Sequence, residues 1–200
     1  CSAAVGIAGK VVWAGTHGVA DLDSGTTITP DTAFDIASVS KQFTATAVLL
    51  LAESGELSPD DPLSDHVPGL PAWSRTVTID QLIHQTSGIP DYVGLLYDAG
   101  YEDGDRTTNA DALTAVAEVA DLEFTPGTQW DYSNSNYLLL GQVVEAVSGQ
   151  SLSEFLDAEI FTPLGLDMVL DPGRPVPTLA VSYTKDGGTY TVAPTAWEQT

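Results

Sequence analysis

Alternation of apolar and polar residues near both ends of the chain predicts β-strands. The first two predicted strands are joined at Gly9, and the last two flank Asp186-Gly187-Gly188, so each pair is expected to form a hairpin. The predicted strands are residues 3–8, 10–15, 33–36, 181–184 and 189–193.

Between these strands, apolar residues recur every three to four positions, which predicts helices. The first helix carries Phe43, Ala47 and Leu50 on one face and is expected to end at Gly55. Ser151 and Glu154 have the spacing of a capping box at the start of the last helix. The predicted helices are residues 38–54, 78–84, 111–119, 136–147 and 151–160.

Three segments lack either periodicity. Residues 58–71 are rich in proline and aspartate and predict a loop, and residues 171–178 contain three prolines and predict extended or loop structure. Residues 92–108 are polar and contain glycine, so we expect an irregular excursion there.

The order of strands, then helices, then strands predicts an α+β protein: an antiparallel sheet with flanking helices plus a helical region. We expect a single domain over residues 1–200. Its sheet strands and first helix lie in residues 1–54, its mainly helical region in 55–170 and the start of the returning sheet in 171–200. Strands this close to both ends indicate a fold that is incomplete at both ends.

The charge and composition narrow the classes of partner. The 200-residue chain has a net charge of −22, from 28 acidic and 6 basic residues, so a nucleic-acid partner is not expected. No apolar run is long enough to span a bilayer, so no transmembrane segment is expected either. An acidic, self-repelling surface fits a secreted protein or one from a high-salt setting.

Metal-ligand patterns are missing from the sequence. Cys1 is the single cysteine, and His17, His66 and His84 lie far apart. We therefore predict no metal site and no cofactor.

The pattern Ser-x-x-Lys, which can place a hydroxyl beside an amine, occurs twice. Ser38 and Lys41 fall at the start of a predicted helix, where positions i and i+3 share a face. Ser182 and Lys185 fall at a strand end, where the same spacing makes side chains diverge. Only the first pair therefore remains a candidate for nucleophilic chemistry. Its simpler interpretation is a serine helix cap beside a solvated lysine.

A second candidate motif is Tyr132-Ser133-Asn134, which follows a turn and precedes a predicted helix. A tyrosine near a lysine can relay a proton, and an asparagine side chain can hydrogen-bond a substrate amide. The alternative is a structural aromatic residue with Asn134 as a helix cap.

Seven short motifs occur in a fixed order. They are GVAD at 18–21, FDIASVSK at 34–41, LIHQTSGI at 82–89, PG at 126–127, YSN at 132–134 with Tyr137, LG at 140–141 and PLGL at 163–166. In this order they resemble the serine β-lactamase / D-alanyl-D-alanine carboxypeptidase family. The similarity is to its class C β-lactamase-related branch, which also contains D-aminopeptidases and family VIII esterases.

This resemblance implies a role for each matching residue. Ser38 would be the acylated nucleophile, with its backbone N–H as half of an oxyanion hole, and Lys41 its proton acceptor. Tyr132 would be the partner general base and acid, and Asn134 would orient the substrate amide. The implied substrates are D-amino-acid peptides, β-lactams or esters, as small molecules or peptides. His84 is not assigned to catalysis, because a lone histidine is more often a packing residue.

The sequence departs from the family in one motif. The family carries Lys-Thr-Gly or His-x-Gly on a strand facing the nucleophile, and neither triplet occurs here. We therefore expect a fragment of a longer enzyme. Two alternatives stay open: a non-hydrolytic penicillin-binding or sensor module, and an inactive fragment whose partner is its missing C-terminal part.

Overall fold

In a computed structural model, the protein is described over residues 1–102, 105–170 and 175–193. These residues form two compact units, one made of residues 1–37 with 175–193 and the other of residues 38–170. The combination of helices with antiparallel strands confirms the predicted α+β class. The single-domain interpretation stays a prediction.

The first unit contains two hairpins. Strand β1, Ser2–Ile7, pairs antiparallel with β2, Lys10–Thr16, and strand β3, Tyr183–Asp186, pairs antiparallel with β4, Thr189–Val192. Both predicted hairpins are confirmed. Gly187 and Gly188 have φ values of 52° and 92°, as required at the two central positions of a tight hairpin turn.

The predicted third strand at residues 33–36 is wrong. Only Ala33 forms a bridge, a parallel one with Leu179. A carboxylate oxygen of Asp35 accepts a hydrogen bond from the backbone N–H of Ala37 at 2.7 Å, and such local bonds compete with strand pairing.

The second unit is helical. A 3-10 turn, Ala37–Ser40, leads directly into the first α-helix. The helices are α1 Lys41–Glu53, α2 Ile79–Ile83, α3 Tyr92–Asp98, α4 Asn109–Ala117, α5 Asn134–Ser148, α6 Leu152–Leu156 and α7 Thr162–Leu164. Further 3-10 turns occupy Leu63–Asp65 and Ala72–Arg75, and a π-helical turn at Asp157–Phe161 joins α6 to α7.

Helix α5 is the centre of this unit and packs against α1, α2, α3, α4 and α6. Its residues Leu139, Leu140 and Val143 are fully buried, as are Ala47 and Val48 of α1. Each Leu or Val side chain buried in this way contributes about 1.5–3 kcal/mol to folding. The apolar core therefore fixes α1 and α5, which begin with the candidate residues Lys41 and Asn134.

Local capping explains where the helices differ from the predictions. The irregular structure expected over residues 92–108 is wrong at its start, because Asp91 caps helix α3. Helix α4 starts two residues before the predicted 111 because Thr108 and Asp111 form a capping box. The Ser151–Glu154 capping box is confirmed. The loop predicted at 58–71 contains a 3-10 turn whose Leu63 is fully buried.

The described residues were also compared with the expectations about membrane-spanning helices and metal sites. None of their helices is long and apolar enough to cross a membrane. The same part of the chain contains no cluster of three or more histidine, cysteine or acidic side chains suited to a metal ion. The start of the predicted proline-rich segment, residues 171–174, lies outside the described residues.

Candidate active site

Ser38 lies in the 3-10 turn at the entrance of α1, and Lys41 is the first residue of that helix. The spacing brings the side chains together, and Lys41 Nζ donates a hydrogen bond to Ser38 Oγ at 3.1 Å. Ser38 is exposed, whereas Lys41 is partly buried. The hydroxyl is thus open to a substrate while the amine is held behind it.

Tyr132, which lies 94 residues further along the chain, contacts the same hydroxyl. Its Oη lies 2.7 Å from Ser38 Oγ, and either oxygen can be the donor. Lys41 Nζ also lies 5.2 Å from the centroid of the Tyr132 ring and 5.6 Å from that of Tyr137, within the range of cation–π attraction. Ser38 Oγ therefore contacts two groups able to exchange a proton with it.

Asn134 completes the cluster. Its Oδ1 accepts hydrogen bonds from Lys41 Nζ at 2.9 Å and from Tyr132 Oη at 3.3 Å. The alternative in which Asn134 caps the helix is wrong, because Asn134 is the first residue of α5 and Ser133 occupies the cap position. The structure thus brings together all four residues that the sequence indicated.

Gln85, which the sequence did not single out, holds the segment that carries Tyr132. Its backbone carbonyl accepts from the N–H of Asp131 at 3.0 Å, and its Oε1 accepts from the N–H of Ser133 at 3.0 Å. These two amides flank Tyr132. Gln85 has a φ of 59°, which is uncommon for a residue other than glycine and aims both carbonyls at the same segment.

The two hydrogen bonds of Gln85 to the N–H groups of Asp131 and Ser133 are called the clamp below. A buried hydrogen-bond network extends from it. The side-chain amide of Asn136 donates to Gln85 Oε1, and Asn136 Oδ1 accepts from Ser87 Oγ at 2.5 Å. Ser87 Oγ in turn accepts from the backbone N–H of Ile89 at 3.0 Å. Gln85, Ser87 and Asn136 are 7%, 0% and 1% exposed, so they act in a region of low dielectric where hydrogen bonds are strong.

Gly88 is required by space and by backbone conformation. Its φ is 78°, and a Cβ built there would collide with the carbonyl oxygen of Phe124. The Gly88 carbonyl also accepts from the N–H of Glu123 at 2.8 Å. The Ser87-Gly88 pair of the sequence motif therefore shapes the scaffold behind the cluster.

Two neighbouring phenols remain protonated near neutral pH. Burial raises the pKa of Tyr92 to about 12, and the negative charge of Asp91 adds to the effect. Burial also raises the pKa of Tyr137, whose hydroxyl donates to the carbonyl of Ile83 at 3.1 Å. Of the three phenols, Tyr132 is the one whose hydroxyl lies within hydrogen-bond distance of Ser38 Oγ.

The remaining candidates lie in other settings. His84 caps the end of α2, and its Nδ1 lies 3.2 Å from a carboxylate oxygen of Asp80, a partner that the sequence had not suggested. Lys185 pairs with Tyr190 across the hairpin and places its Nζ 5.3 Å from the Tyr190 ring centroid. The Ser182/Lys185 match is thus part of a hairpin.

A serine whose hydroxyl contacts both a lysine and a tyrosine is an arrangement that suits serine hydrolases in which a residue other than histidine is the base. Residues 1–199 match the family described as Beta-lactamase, and the chain belongs to this family.

Relatives and solved structures agree with this assignment. Penicillin-binding protein 4* of Bacillus subtilis is 33% identical over 160 residues, which cover 80% of this chain and 35% of that protein. The octameric penicillin-binding protein homologue from Pyrococcus abyssi superposes with a TM-score of 0.83 at 28% identity, covering 96% of this chain and 46% of that one. EstCE1, a hydrolase with promiscuous acyltransferase activity, gives a TM-score of 0.79 at 26% identity, covering 96% and 53%.

The matched region is most of this chain but only a part of each curated relative. The chain spans about a third of the length of the curated relatives it matches, 35% of the Bacillus subtilis protein and 31% of protein flp from Staphylococcus aureus.

Proposed function

We propose that this protein is a serine acyl-transfer hydrolase that forms an acyl-enzyme on Ser38. The observation that carries the proposal is the contact of Ser38 Oγ with both Lys41 Nζ, at 3.1 Å, and Tyr132 Oη, at 2.7 Å. Nucleophile and base within hydrogen-bond reach of each other are the geometric signature of an activated serine.

The chemistry can be followed atom by atom. Ser38 Oγ attacks the substrate carbonyl carbon while its proton passes to one of its two neighbours, either to Lys41 acting as the free amine or to Tyr132 acting as the phenolate. The tetrahedral intermediate then expels an amine or alcohol, which takes a proton from the same pair, and an ester on Ser38 remains. Water hydrolyses this ester with the pair again accepting its proton. In this scheme Asn134 holds Lys41 in place and orients the substrate amide, and no metal or cofactor is needed.

The substrate classes proposed are β-lactams, D-amino-acid peptides and esters. Support comes from the penicillin-binding relatives and from a solved neighbour described as a hydrolase with acyltransferase activity. The acidic composition, with a net charge of −22, supports a secreted or periplasmic location.

The remaining part of the fold is proposed as a partner of the first unit. Large apolar residues of the β1–β2 hairpin are exposed, including Val5, Ile7, Val11 and Trp13 at 49%, 63%, 69% and 55%. A hairpin alone is marginally stable and needs further strands or a helix to cover its apolar face. Since the chain spans about a third of its curated relatives, further sheet from the same protein would supply this cover.

Covalent labelling of the complete protein tests the proposal. A fluorescent penicillin and a fluorophosphonate probe are each incubated with the wild type, Ser38→Ala and Ser182→Ala, and the adduct is located by peptide mass spectrometry. We expect one adduct, on Ser38, that is lost in Ser38→Ala and kept in Ser182→Ala, the matched Ser-x-x-Lys control.

Absence of any adduct in the wild type, or an adduct that survives Ser38→Ala, would refute the proposal. A Ser38 adduct that forms slowly and never turns over would instead favour a penicillin-binding or sensor module. Activity that appears only when residues 1–200 are mixed with the remaining chain would identify an inactive fragment.

A further inference from the structure

Asp91 accepts two hydrogen bonds from Asn134. One carboxylate oxygen, Oδ2, accepts from the backbone N–H of Asn134 at 3.1 Å and from its side-chain Nδ2 at 2.8 Å. The other, Oδ1, accepts from the N–H of Val93 at 2.9 Å and caps helix α3. We propose that Asp91 is a positioning residue of the active site, which fixes the Asn134 carboxamide with its oxygen toward Lys41. This inference rests on the function proposed above.

The chemistry of the three groups allows one orientation of the amide. A carboxamide turned by 180° exchanges its oxygen and its NH₂ group. An ionised carboxylate has acceptors only, so it can be satisfied only by the NH₂ side of the amide, whereas the Nζ of a lysine carries N–H donors both as an ammonium and as an amine. Between Lys41 and Asp91, the amide satisfies both neighbours only when Oδ1 faces Nζ, at 2.9 Å, and Nδ2 faces the carboxylate.

Without the carboxylate, nothing in this set prevents the turned amide, which would present NH₂ to the amine of Lys41. That orientation loses the acceptor that holds Nζ beside Ser38 Oγ. It also removes the acceptor for Tyr132 Oη at 3.3 Å. One rotation of Asn134 therefore releases both proton-exchanging groups from their positions.

The contacts form a chain from Asp91 through Asn134 and Lys41 to Ser38, with lengths of 2.8, 2.9 and 3.1 Å. Hydrogen bonds in such chains polarise one another. The carboxylate draws the amide hydrogens toward itself and makes the amide oxygen a stronger acceptor for Lys41. Asp91 thus acts on the nucleophile without touching it.

The two roles of Asp91 can be separated by substitution. Asparagine caps helices about as well as aspartate, so Asp91→Asn keeps an acceptor for Val93. It removes the second acceptor oxygen and the charge that hold Asn134. Asp111→Asn is the matched control, since Asp111 bonds Thr108 in the first turn of α4 and has no contact with the four-residue cluster.

The experiment measures single-turnover acylation of the complete protein by a fluorescent penicillin. We expect Asp91→Asn to lower the maximal acylation rate roughly 10- to 100-fold, as misplaced catalytic groups do, with little change in the half-saturating concentration. Asp111→Asn should match the wild type. In an Asn134→Ala background, Asp91→Asn should change the rate by less than about 2-fold, because its target is gone.

A wild-type rate in Asp91→Asn would overturn the inference. So would an equal slowing by Asp91→Asn in the Asn134→Ala background, which would show a structural role only.

A second measurement separates this failure from failure of the proposed function. Hydrogen exchange of the Asn134 side-chain amide, followed by NMR, should be slow in the wild type and fast in Asp91→Asn. Fast exchange in the wild type overturns the inference whether or not Ser38 is acylated. Slow exchange in a protein that no probe labels would locate the failure in the proposed function and would overturn the catalytic role of Asp91 with it.

Discussion

Replacing Gln85 by methionine tests whether the clamp on the Tyr132 segment controls both stability and chemistry. Methionine has a similar length but only a weakly accepting sulfur, so Gln85→Met takes the carbonyl acceptor away from the N–H of Ser133 and the side-chain amide of Asn136. Each buried donor stranded in this way costs about 1–3 kcal/mol. The bond from Asp131 to the Gln85 backbone carbonyl remains.

One effect of Gln85→Met stabilises the fold. Gln85 Nε2 is buried and has no hydrogen-bond partner, so its removal relieves about 1–3 kcal/mol. If each group has the same cost, two stranded donors less one relieved donor leave the cost of one donor, a net loss of about 1–3 kcal/mol in the free energy of unfolding. The unit should stay folded, because domains of this kind have about 5–15 kcal/mol of stability.

Denaturant unfolding and penicillin acylation are the two assays, both on the complete protein. Acylation should fall roughly 10- to 100-fold, because Tyr132 loses one of its two flanking anchors. Gln142→Met is the control: Gln142 is a half-buried residue of α5 bonded to Glu145, and its change should stay within about 0.5 kcal/mol. Unchanged unfolding and unchanged acylation in Gln85→Met would refute the clamp.

Three further outcomes are expected. Lys41→Ala should slow acylation about 10²- to 10⁴-fold, and Lys41→Arg should not restore it, because a guanidinium does not deprotonate; recovery in Lys41→Arg would exclude a base role. Since the pKa of Tyr92 is raised from 10.0 to about 12, its contribution to stability is complete below pH 10 and is lost as the pH rises toward 12. The loss should be about 2 kcal/mol in denaturation at graded pH, and a Tyr92→Phe variant with the same alkaline decline would contradict this assignment. Gly88→Ala should lower the unfolding free energy by more than about 2 kcal/mol, because the new Cβ would collide with the carbonyl of Phe124. Gly149 has a similar φ but open space around it, so Gly149→Ala should cost about 1 kcal/mol. Equal losses in the two variants would show that only the backbone conformation matters.

Local chemistry explains which parts of the fold were predictable. The hairpin at Gly187-Gly188 and the Ser151–Glu154 capping box are set by residues a few positions apart, and both were predicted correctly. Helix α3 was missed because its cap, Asp91, is identified by what it bonds rather than by an apolar repeat. At the expected strand 33–36, only Ala33 forms a bridge, and the carboxylate of Asp35 bonds the nearby backbone N–H of Ala37.

In the candidate site, too, contacts between residues close in sequence were predictable and contacts between distant residues were not. Helical spacing alone placed Lys41 beside Ser38, because both lie on one short stretch of backbone. Tyr132 and Ser38 are 94 residues apart, so no spacing rule relates them, and only the resemblance to a family linked the two motifs. The sequence did not point to Gln85 and Asp91, because they accept hydrogen bonds from backbone N–H groups. Every residue except proline has such a group, so no sequence motif marks the contact.

Taken together, these contacts give the segment from Gln85 to Tyr92 a defined task. Gln85 holds the amides on both sides of Tyr132, and Asp91 holds Asn134. Ser135 Oγ closes the series by accepting from the N–H of Tyr92 at 2.8 Å and donating to the carbonyl of Pro90 at 2.6 Å. Because the phenol and the carboxamide are carried by one clamped strip of backbone, a shift of that strip would move both relative to Ser38. The surroundings of Ser38 Oγ therefore depend on hydrogen bonds made by the segment from Gln85 to Tyr92.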